Sequence, residues 1–505
     1  MANLLYDDNK ISYPGEMRIS EVALISPYGN VVGISNNVLE INIYEDIFSN
    51  FLTGDITFVD TDNLTAKLPI LGQEYLEFKI RTPLGSKYEE GEYDFTNARM
   101  AVYNIASKVK LNDKTQNITL SFISPEGIKD NNTRISRAFD GPYDDAVAKI
   151  VKQQWGLNST KKCYIQPTKD NFKFVAPNQR PSDVLNMIAS RAVPKTSILP
   201  AYVFYENGQG FHFRSLDSFY YIVKNSGYVL HPPMFEYFCD VNETKGNDNP
   251  RDNPMASLRN VIKYKFNSHV DIIRSQRSGM FASKLITYDA YNKTFKTNKF
   301  NYIDEYLQIP HAEKDDAVED TASYRGLIVN AHHDYTDKTL TDSKNSFRTA
   351  YKLLSDYSDS RLMVASNTAN IHNTNSSNGY KTDDSIQRRQ HALQVFNAIE
   401  LELTVYGNTH LNIGHVIQVN IPRTGRDKKG MKITDNERYT SGRWVITAVR
   451  HNFNVGDQTS RSIITCIKET YGTALMEKTS PLNLDYKDEG KAINLYDDSE
   501  YKVKI

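Results

Sequence analysis

Two similar β-rich blocks lie near the two ends of the chain and bracket a middle of different character. The first covers about 19–124 and the second about 397–472. In both, apolar residues alternate with polar ones, which is the two-residue period of a strand with one buried face. The predicted buried sets are Leu39, Ile41 and Ile43; Leu76, Phe78 and Ile80; Ile399, Leu401, Leu403 and Val405; and Ile417, Val419 and Ile421. Both blocks are therefore predicted to be small antiparallel barrels, and an oligomer presents twice as many barrels as subunits.

Between the blocks, a small α/β middle domain is predicted over 125–225. One helical face is formed by Ala146, Val147, Ile150, Val151 and Trp155. Gly156 follows where a left-handed helix cap would lie. A second helix is predicted to begin at Pro181. Asn207-Gly208 accepts the positive φ angles of a tight turn, so 201–215 is predicted to be a β-hairpin.

The second barrel is predicted to be discontinuous, over 255–299 and 397–472. Further strands of this barrel are predicted between 261 and 290, in the segments VIKYKFN, HVDIIRS and KLITYDA. An inserted helical and loop domain, 300–396, interrupts it, with one helix carrying Phe347, Ala350, Tyr351 and Leu354 and another near 384–396. An N-terminal arm covers 1–18 and a C-terminal tail covers 476–505. The predicted fold class is α+β and β-dominated, with two antiparallel barrels, the middle domain and the helical insert.

Length and charge limit the classes of function. A chain of 505 residues exceeds one compact core, so three or four structural units are expected. The 60 basic and 61 acidic residues give a net charge of −1, so nothing drives the whole chain towards nucleic acid. The sequence has no apolar run near the ~20 residues that cross a bilayer. The start, MANLLYDDNK, has no signal-peptide pattern, so assembly in a cytoplasm is expected.

The sequence predicts no catalytic residue, metal ligand or cofactor-binding residue. Cys163, Cys239 and Cys466 lie far apart, so they are interpreted as reduced packing residues. No phosphate-binding glycine loop and no GxSxG turn is present. His332-His333-Asp334 is the only clustered set that resembles a metal site, but adjacent histidines point to different sides of a strand or helix. Carboxylates are plentiful, and their location in solvated loops accounts for them without a catalytic role.

Two segments could contact a partner. The loop PRTGRDKKGMK carries Arg423, Arg426, Lys428 and Lys429, and it is either a solubilising hairpin loop or a contact with a neighbouring subunit or acidic partner. Near the C-terminus, EYKVKI carries Tyr501 and Val503. This segment is either a mobile terminus or a strip that adds to a sheet edge.

Several strand segments follow one another in a fixed order. The first block contains VLEINIYEDI, FLTGDITFVDTDNL, GQEYLEFKI and the pair YNIASKVKLN and QNITLSFIS, the middle domain contains GFHFRSLDS, and the second block contains GNTHLNIGHVIQVNIP, with Gly414 in a turn, and SGRWVITAVRHNFN. This order resembles the baseplate hub proteins of contractile-tailed bacteriophages, the family that also supplies the first part of type VI secretion spike proteins. The segments of the first block resemble that family's first tube-like barrel, those of the second block are similar to its second, and GFHFRSLDS resembles part of its middle domain. The insert departs from the family, and nothing after residue 472 resembles the barrel that begins a fused spike.

The resemblance implies a homotrimer whose six barrels form a ring around a channel. Such a ring would join a hexameric tail tube to a threefold spike, as a structural protein of the virion tail baseplate that assembles in the host cytoplasm. The implied partners are the tail tube protein, the central spike protein, the tape-measure protein and the baseplate wedge. DNA would pass without specific binding. Polar strand faces that carry Glu40, Asn42, Glu400 and Glu402 are the candidate channel lining, although a one-residue slip would expose the opposite set.

Two alternatives stay open at this point. A virion-associated cell-wall hydrolase would need a cleft with coupled carboxylates or a metal. A carbohydrate- or receptor-binding tail protein would use tyrosines, of which the chain has 32, for stacking on sugars.

Overall fold

A computed structural model describes most of the two β-rich blocks and of the segment between them. The described residues are 11–61, 70–83, 91–169, 172–195, 199–224, 227–239, 257–268, 271–290, 292–302, 305, 331–332, 352–353, 357–366, 382–423, 436–437 and 440–469. Strands outnumber the five α-helices among these residues, and the largest sheet is mostly antiparallel. This agrees with the predicted α+β, β-dominated class.

Ten strands are described in the first block. They are β1 (Arg18–Ile19), β2 (Ala23–Ile25), β3 (Val31–Gly33), β4 (Val38–Asp46), β5 (Thr53–Asp60), β6 (Tyr75–Glu77), β7 (Lys79–Arg81), β8 (Glu92–Asp94), β9 (Met100–Lys110) and β10 (Gln116–Ile123). The prediction that Leu76, Phe78 and Ile80 are buried is confirmed. The prediction for Leu39 is wrong, because an irregularity where β4 pairs with β5 shifts the register beside it and leaves Leu39 39% exposed.

The middle segment contains both predicted helices and the predicted hairpin. Its elements are α1 (Pro125–Asn132), β11 (Ile135–Gly141), α2 (Tyr143–Lys152), β12 (Cys163–Ile165), β13 (Phe172–Gln179), α3 (Pro181–Arg191), β14 (Tyr202–Asn207), β15 (Gly210–Ser215), β16 (Tyr221–Lys224), β17 (Gly227–Leu230) and β18 (Phe235–Phe238). The predicted Asn207-Gly208 turn is wrong in its position, because Asn207 pairs with Gly210 as the last residue of β14. The turn is Gly208-Gln209, and the positive φ of +135° is at Gly210. The predicted left-handed cap at Gly156 is wrong. Glycine is required there because any Cβ would collide with the carbonyl of Ile150.

The remaining elements lead into the second block. They are β19 (Val261–Ser268), α4 (Ile272–Ser278), β20 (Ala282–Asp289), β21 (Thr294–Asn301), β22 (Ala331–His332), β23 (Lys352–Leu353), β24 (Leu362–Ser366), α5 (Thr382–Phe396), β25 (Ile399–Tyr406), β26 (Val416–Asn420), β27 (Gly442–Asn454) and β28 (Thr459–Lys468). The buried sets predicted on β25 and at Ile417, Val419 and Ile421 are confirmed. The helix predicted near 384–396 is α5.

Two predictions for the segment before the insert need correction. HVDIIRS is not a strand, because Asp271 caps α4 by accepting a 3.0 Å hydrogen bond from the amide of Arg274. KLITYDA does form a strand, β20, but it pairs with β21 and β24 in a separate three-stranded sheet. The predicted helix that carries Phe347, Ala350, Tyr351 and Leu354 is wrong at Lys352 and Leu353, which form β23 and pair with β22. Its four apolar residues lie outside the described residues.

One continuous sheet connects the two blocks. Its strand order is β19-β25-β28-β27-β4-β5-β10-β9-β6-β2-β3. The connection is the antiparallel pair β4–β27, in which Asn42 lies opposite Asn452 and Asp46 opposite Ala448. We call this pair the seam. The N-terminal part of β27 pairs instead with β26, and an irregularity between Ile446 and Ala448 marks the change.

Among the described residues, three hydrophobic clusters form the cores. One lies in the first block, one in the middle segment and one mainly in the second block. In the second block, β18 also pairs with β26, and a bridge from Phe238 to Asn260 connects the end of β18 to the start of β19. The strand pairings there therefore form a closed circuit. In the first block the described pairings form an open path from β4 to β3 and a separate three-stranded sheet, β1-β7-β8. The domain boundaries and the number of barrels stay predictions.

Candidate functional site

The four candidate lining residues lie on one face of the continuous sheet. In an antiparallel pair, residues directly opposite each other point to the same side. Tyr406, Arg461, Asn452, Asn42, Asp55, Ser121 and Asn104 follow one another in register from β25 to β9. Glu400 and Glu402 alternate with apolar residues in the same phase as Tyr406, and Glu40 is in phase with Asn42. The sheet thus brings the four residues to a common surface, which we call the polar face.

The polar face carries a nearly balanced set of charges. Its acidic residues are Glu40, Asp46, Asp55, Glu400 and Glu402, and its basic residues are Lys263, Lys265, Arg450 and Arg461. Between them lie uncharged polar residues, including Thr57, Thr119 and Ser107 in one row. A surface of this kind offers phosphate groups neither a large positive patch nor a uniformly negative wall.

Hydrogen bonds connect the polar face across the seam. Asn42 accepts from Arg450 Nε at 3.1 Å and from Asn452 Nδ2 at 2.8 Å, and it donates to Glu40 at 2.8 Å. Glu40 also accepts from Asn452, and its carboxylate lies 3.7 Å from the guanidinium of Arg450. Because these four side chains belong to both blocks, they fix the register in which the blocks meet.

Similar pairs occur away from the seam. Asn267 of β19 donates to Glu400 at 2.9 Å and to Glu402 at 3.3 Å. Asp55 accepts from Tyr44 at 3.0 Å and from Ser121 at 2.9 Å. Burial, together with this bond to Asp55, raises the pKa of Tyr44. Much of the polar face is therefore bonded to itself.

Glu45 lies on the opposite, buried side of the seam. It follows Ile41 and Ile43 in the apolar phase of β4 and is 2% exposed. Its carboxyl accepts from the hydroxyl of Tyr93 at 2.8 Å and from the amides of Gly208 at 2.7 Å and Ile413 at 3.4 Å. Burial is the main reason that the pKa of Glu45 rises to about 7. The sequence does show an acidic residue at a position where the alternation on β4 predicts a buried apolar one. The sequence analysis nevertheless did not single out Glu45.

A second buried carboxylate group lies between the first block and the middle segment. Lys161 Nζ lies 2.7 Å from Glu126 and 2.5 Å from Glu206. Glu206 also accepts from Ser124 at 2.6 Å and from the amide of Leu52 at 3.0 Å. Burial raises the pKa of Glu206 and Lys161 lowers it, with burial the larger effect. The two carboxylates and the one ammonium group form a single buried network.

A loop of the second block also holds the first block. Thr409 bonds to Thr82 through its amide and its hydroxyl, each at 2.9 Å, and its hydroxyl also donates to the carbonyl of Gly91. His410 packs where a Cβ on Gly91 would lie. These contacts join residues more than 300 positions apart in sequence, so no sequence period could reveal them.

The candidate partner contacts lie largely outside the description. Arg423 is exposed just after β26, whereas Arg426, Lys428, Lys429, Tyr501 and Val503 lie outside the described residues. Their roles stay predictions.

The described residues include no group of three or more His, Cys, Asp or Glu side chains that could hold a metal. All three cysteines are free, and burial raises the pKa of Cys163 to about 11. No α-helix in the described part of the chain is both long enough and apolar enough to cross a membrane.

Comparison with known proteins finds similarity only among solved structures, because no family model and no curated protein matches the chain. It is similar to the 43 kDa tail protein of prophage MuSo2 from Shewanella oneidensis, with 10% identity, 90% of this chain and 99% of that chain covered, and a TM-score of 0.45. It is also similar to a tail protein from Neisseria meningitidis MC58, with 10% identity, 90% of this chain and 98% of that chain covered, and a TM-score of 0.46. For the E. coli c3393 protein, a component of the type VI secretion system, the identity is 8%, the coverage is 90% of this chain and 76% of that chain, and the TM-score is 0.35. The first two are tail proteins and the third is a secretion-system component, and similarity at these identities and TM-scores does not assign the chain to a family.

Proposed function

We propose that the chain is a structural hub of a contractile phage tail. Three copies would form a closed ring that joins a hexameric tail tube to a threefold spike and surrounds part of the channel for the genome. The observation that carries this proposal is the eight-strand portion of the sheet from β19 to β9, which has one polar face and crosses both blocks. In this role the protein acts as an adaptor in the virion tail and not as an enzyme.

The strand directions support a head-to-tail assembly. Every neighbouring pair from β19 to β9 is antiparallel. Because eight is an even number, β19 and β9 run in opposite directions. The β9 edge of one copy can therefore continue the antiparallel ladder with the β19 edge of the next copy. A head-to-tail interface of this kind generates a closed ring when its rotation closes.

Both edge strands expose apolar side chains. On β9, Tyr103 is 50% and Val109 is 52% exposed, and β9 pairs beyond Ala101 with β10 alone among the described strands. On β19, Ile262 is 45% and Tyr264 is 38% exposed. An exposed apolar edge strand is prone to pair with another chain. A neighbouring copy would cover both edges at once.

The number of strands is compatible with a channel. Three copies of the eight-strand portion would give a barrel of about 24 strands, and barrels of about 16–18 strands already enclose water. With the polar face inside, the wall would carry Glu40, Asn42, Glu400 and Glu402 among side chains that bond largely to one another. Such a wall would let DNA slide with little attraction for its phosphates. The loop with Arg423 and the C-terminal tail are proposed to contact partner proteins.

Oligomeric mass tests the ring. We expect native mass spectrometry of the purified protein to give three times the mass of one chain. Tyr103→Lys on β9 or Ile262→Lys on β19 should shift the protein to monomer, because each adds a charge to one side of the interface. Val175→Lys should leave the trimer intact, because Val175 is 64% exposed on the middle segment, away from both edges. A wild-type protein that is monomeric or dimeric, both alone and in the particle, would refute the proposal.

Labelling tests which face lines the channel. Biotin attached at Asn117→Cys, on the polar face of β10, should escape capture by streptavidin in the trimer, because streptavidin is too large to enter. The same label at Val31→Cys, on β3, should be captured. Both labels should be captured in the monomeric Tyr103→Lys background. Capture of the Asn117→Cys label in the intact trimer would place the polar face outside.

A further inference from the structure

We propose that Glu45 is a proton-sensitive joint between the first block, the middle segment and the second block. With its carboxyl protonated, it holds the three parts together at the buried side of the seam, and its ionisation loosens them. The inference concerns contacts within one chain, so it goes beyond the proposed hub function and does not require the ring.

The position of Glu45 is the first step. Its three hydrogen-bond donors come from three different parts of the chain. Tyr93 belongs to β8 of the first block, Gly208 to the turn between β14 and β15, and Ile413 to the loop before β26 of the second block. Glu45 itself is on β4, the strand of the first block that forms the seam. Any movement of one part away from another must break at least one of these bonds.

The second step is the absence of a compensating charge. The titratable groups that face Glu45 directly or through Tyr93 are Tyr93 on β8, Tyr205 and Glu206 on β14, and His451 on β27. Burial lowers the pKa of His451 to about 4 and raises that of Tyr205 to about 12, so neither is charged at neutral pH. Lys161 is bound to Glu126 and Glu206, and Arg214 to Ser218. Among these described groups, Glu45 has no ion-pair partner.

The third step gives the direction of the pH effect. The pKa of Glu45 rises from its usual 4.5 to about 7 when it is buried. The closed joint therefore binds more protons than an opened one between these two values. The closed joint is therefore most stable relative to the opened one at lower pH, and it loses stability as pH rises towards 7. Above pH 7 its relative stability changes little further. Between pH 6 and pH 8.5 the ratio of opened to closed joint should rise about tenfold.

Hydrogen exchange of the full-length protein tests this inference. Amide protection, corrected for the intrinsic exchange rate, would be measured from pH 6 to pH 8.5 by mass spectrometry. In the wild type, peptides that cover β4, Ala448–Asn454 and the turn at Gly208 should lose protection about tenfold. In Glu45→Gln the same peptides should lose most of this tenfold change, because the amide keeps the shape and cannot ionise, and only the titration of Glu206 remains.

Glu74 provides a matched control. It is also buried and accepts from the amides of Leu71, Gly72 and Gln73, but all its partners lie in the first block. Glu74→Gln should therefore keep the tenfold change at the seam.

A second variant covers the case in which Glu45→Gln fails to fold. Tyr93→Phe removes one donor to the ionised carboxylate, so the loss of protection should move to higher pH. The inference is wrong if wild-type protection stays constant from pH 6 to pH 8.5, if Glu45→Gln keeps the tenfold change, or if Tyr93→Phe leaves the transition in place. Native mass under the same conditions reports separately on the ring, so loss of the trimer alone would count against the hub and not against the joint.

Discussion

Lys161→Met should lower the free energy of unfolding by about 3–5 kcal/mol, the usual cost of removing one partner from a buried ion pair. The side chain of Lys161 is 15% exposed, and those of Glu126 and Glu206 are 7% and 3% exposed. Methionine retains much of the side-chain volume but leaves two carboxylates without a cation. Denaturant unfolding at pH 7.5 would measure the loss. The deficit should shrink at lower pH, where Glu206, whose pKa burial raises, takes up a proton.

Two further variants separate charge from packing. Adding Glu206→Gln to Lys161→Met should recover part of the stability, because it removes one of the uncompensated charges. Lys173→Met breaks an ion pair with Asp140 in which both side chains are mostly exposed, and it should change stability by about 0.5 kcal/mol or less. A loss below about 1 kcal/mol for Lys161→Met would show that water or movement compensates the two carboxylates.

Gly54→Val should destabilise the protein by about 3 kcal/mol or prevent folding, because a side chain there meets both a backbone and a ring. Gly54 lies on β5, directly opposite Phe122 of β10. A Cβ at Gly54 would overlap the carbonyl oxygen of Asn42 and the ring of Phe122. Relief of that overlap requires β4 to move away from β5, and β4 is the strand that joins the blocks.

Gly33→Ala is the control for this experiment. Gly33 also lies in a strand of the first block, but a Cβ there would meet only the Glu21 carboxylate, at 3.4 Å. The thermal unfolding midpoint of the Gly33→Ala protein should therefore stay close to that of the wild type. A folded Gly54→Val protein with an unchanged midpoint would show that β4 and β5 can separate without cost.

The sequence predicts strands well where one face is buried along their whole length. On β25, Leu401 and Leu403 are fully buried as their alternation indicates. Leu39 departs from the pattern because a register irregularity, which depends on the partner strand, interrupts the alternation. HVDIIRS has a short apolar pair that fits a strand or a helix, and the Asp271 cap decides between them.

The polar face could be predicted only in part. The alternation on β4 and β25 indicates that Glu40, Asn42, Glu400 and Glu402 lie on the polar sides of their strands. It does not indicate that the two strands belong to one sheet. Asn42 and Asn452 are 410 positions apart, and their contact depends on how two folded blocks meet. Local patterns carry no information about such a distant pairing.

The seam also has a consequence for synthesis of the chain on the ribosome. The edge of β4 that faces β27 has to wait for its partner until residues near Asn454 have been made, about 400 residues later. At translation rates of about 5–20 residues per second, this interval lasts roughly 20–80 s. During that time the nascent first block exposes a strand edge that can pair with other chains. The amount of correctly folded protein that a cell produces should therefore depend on translation speed and chaperone supply as well as on the stability of the finished protein.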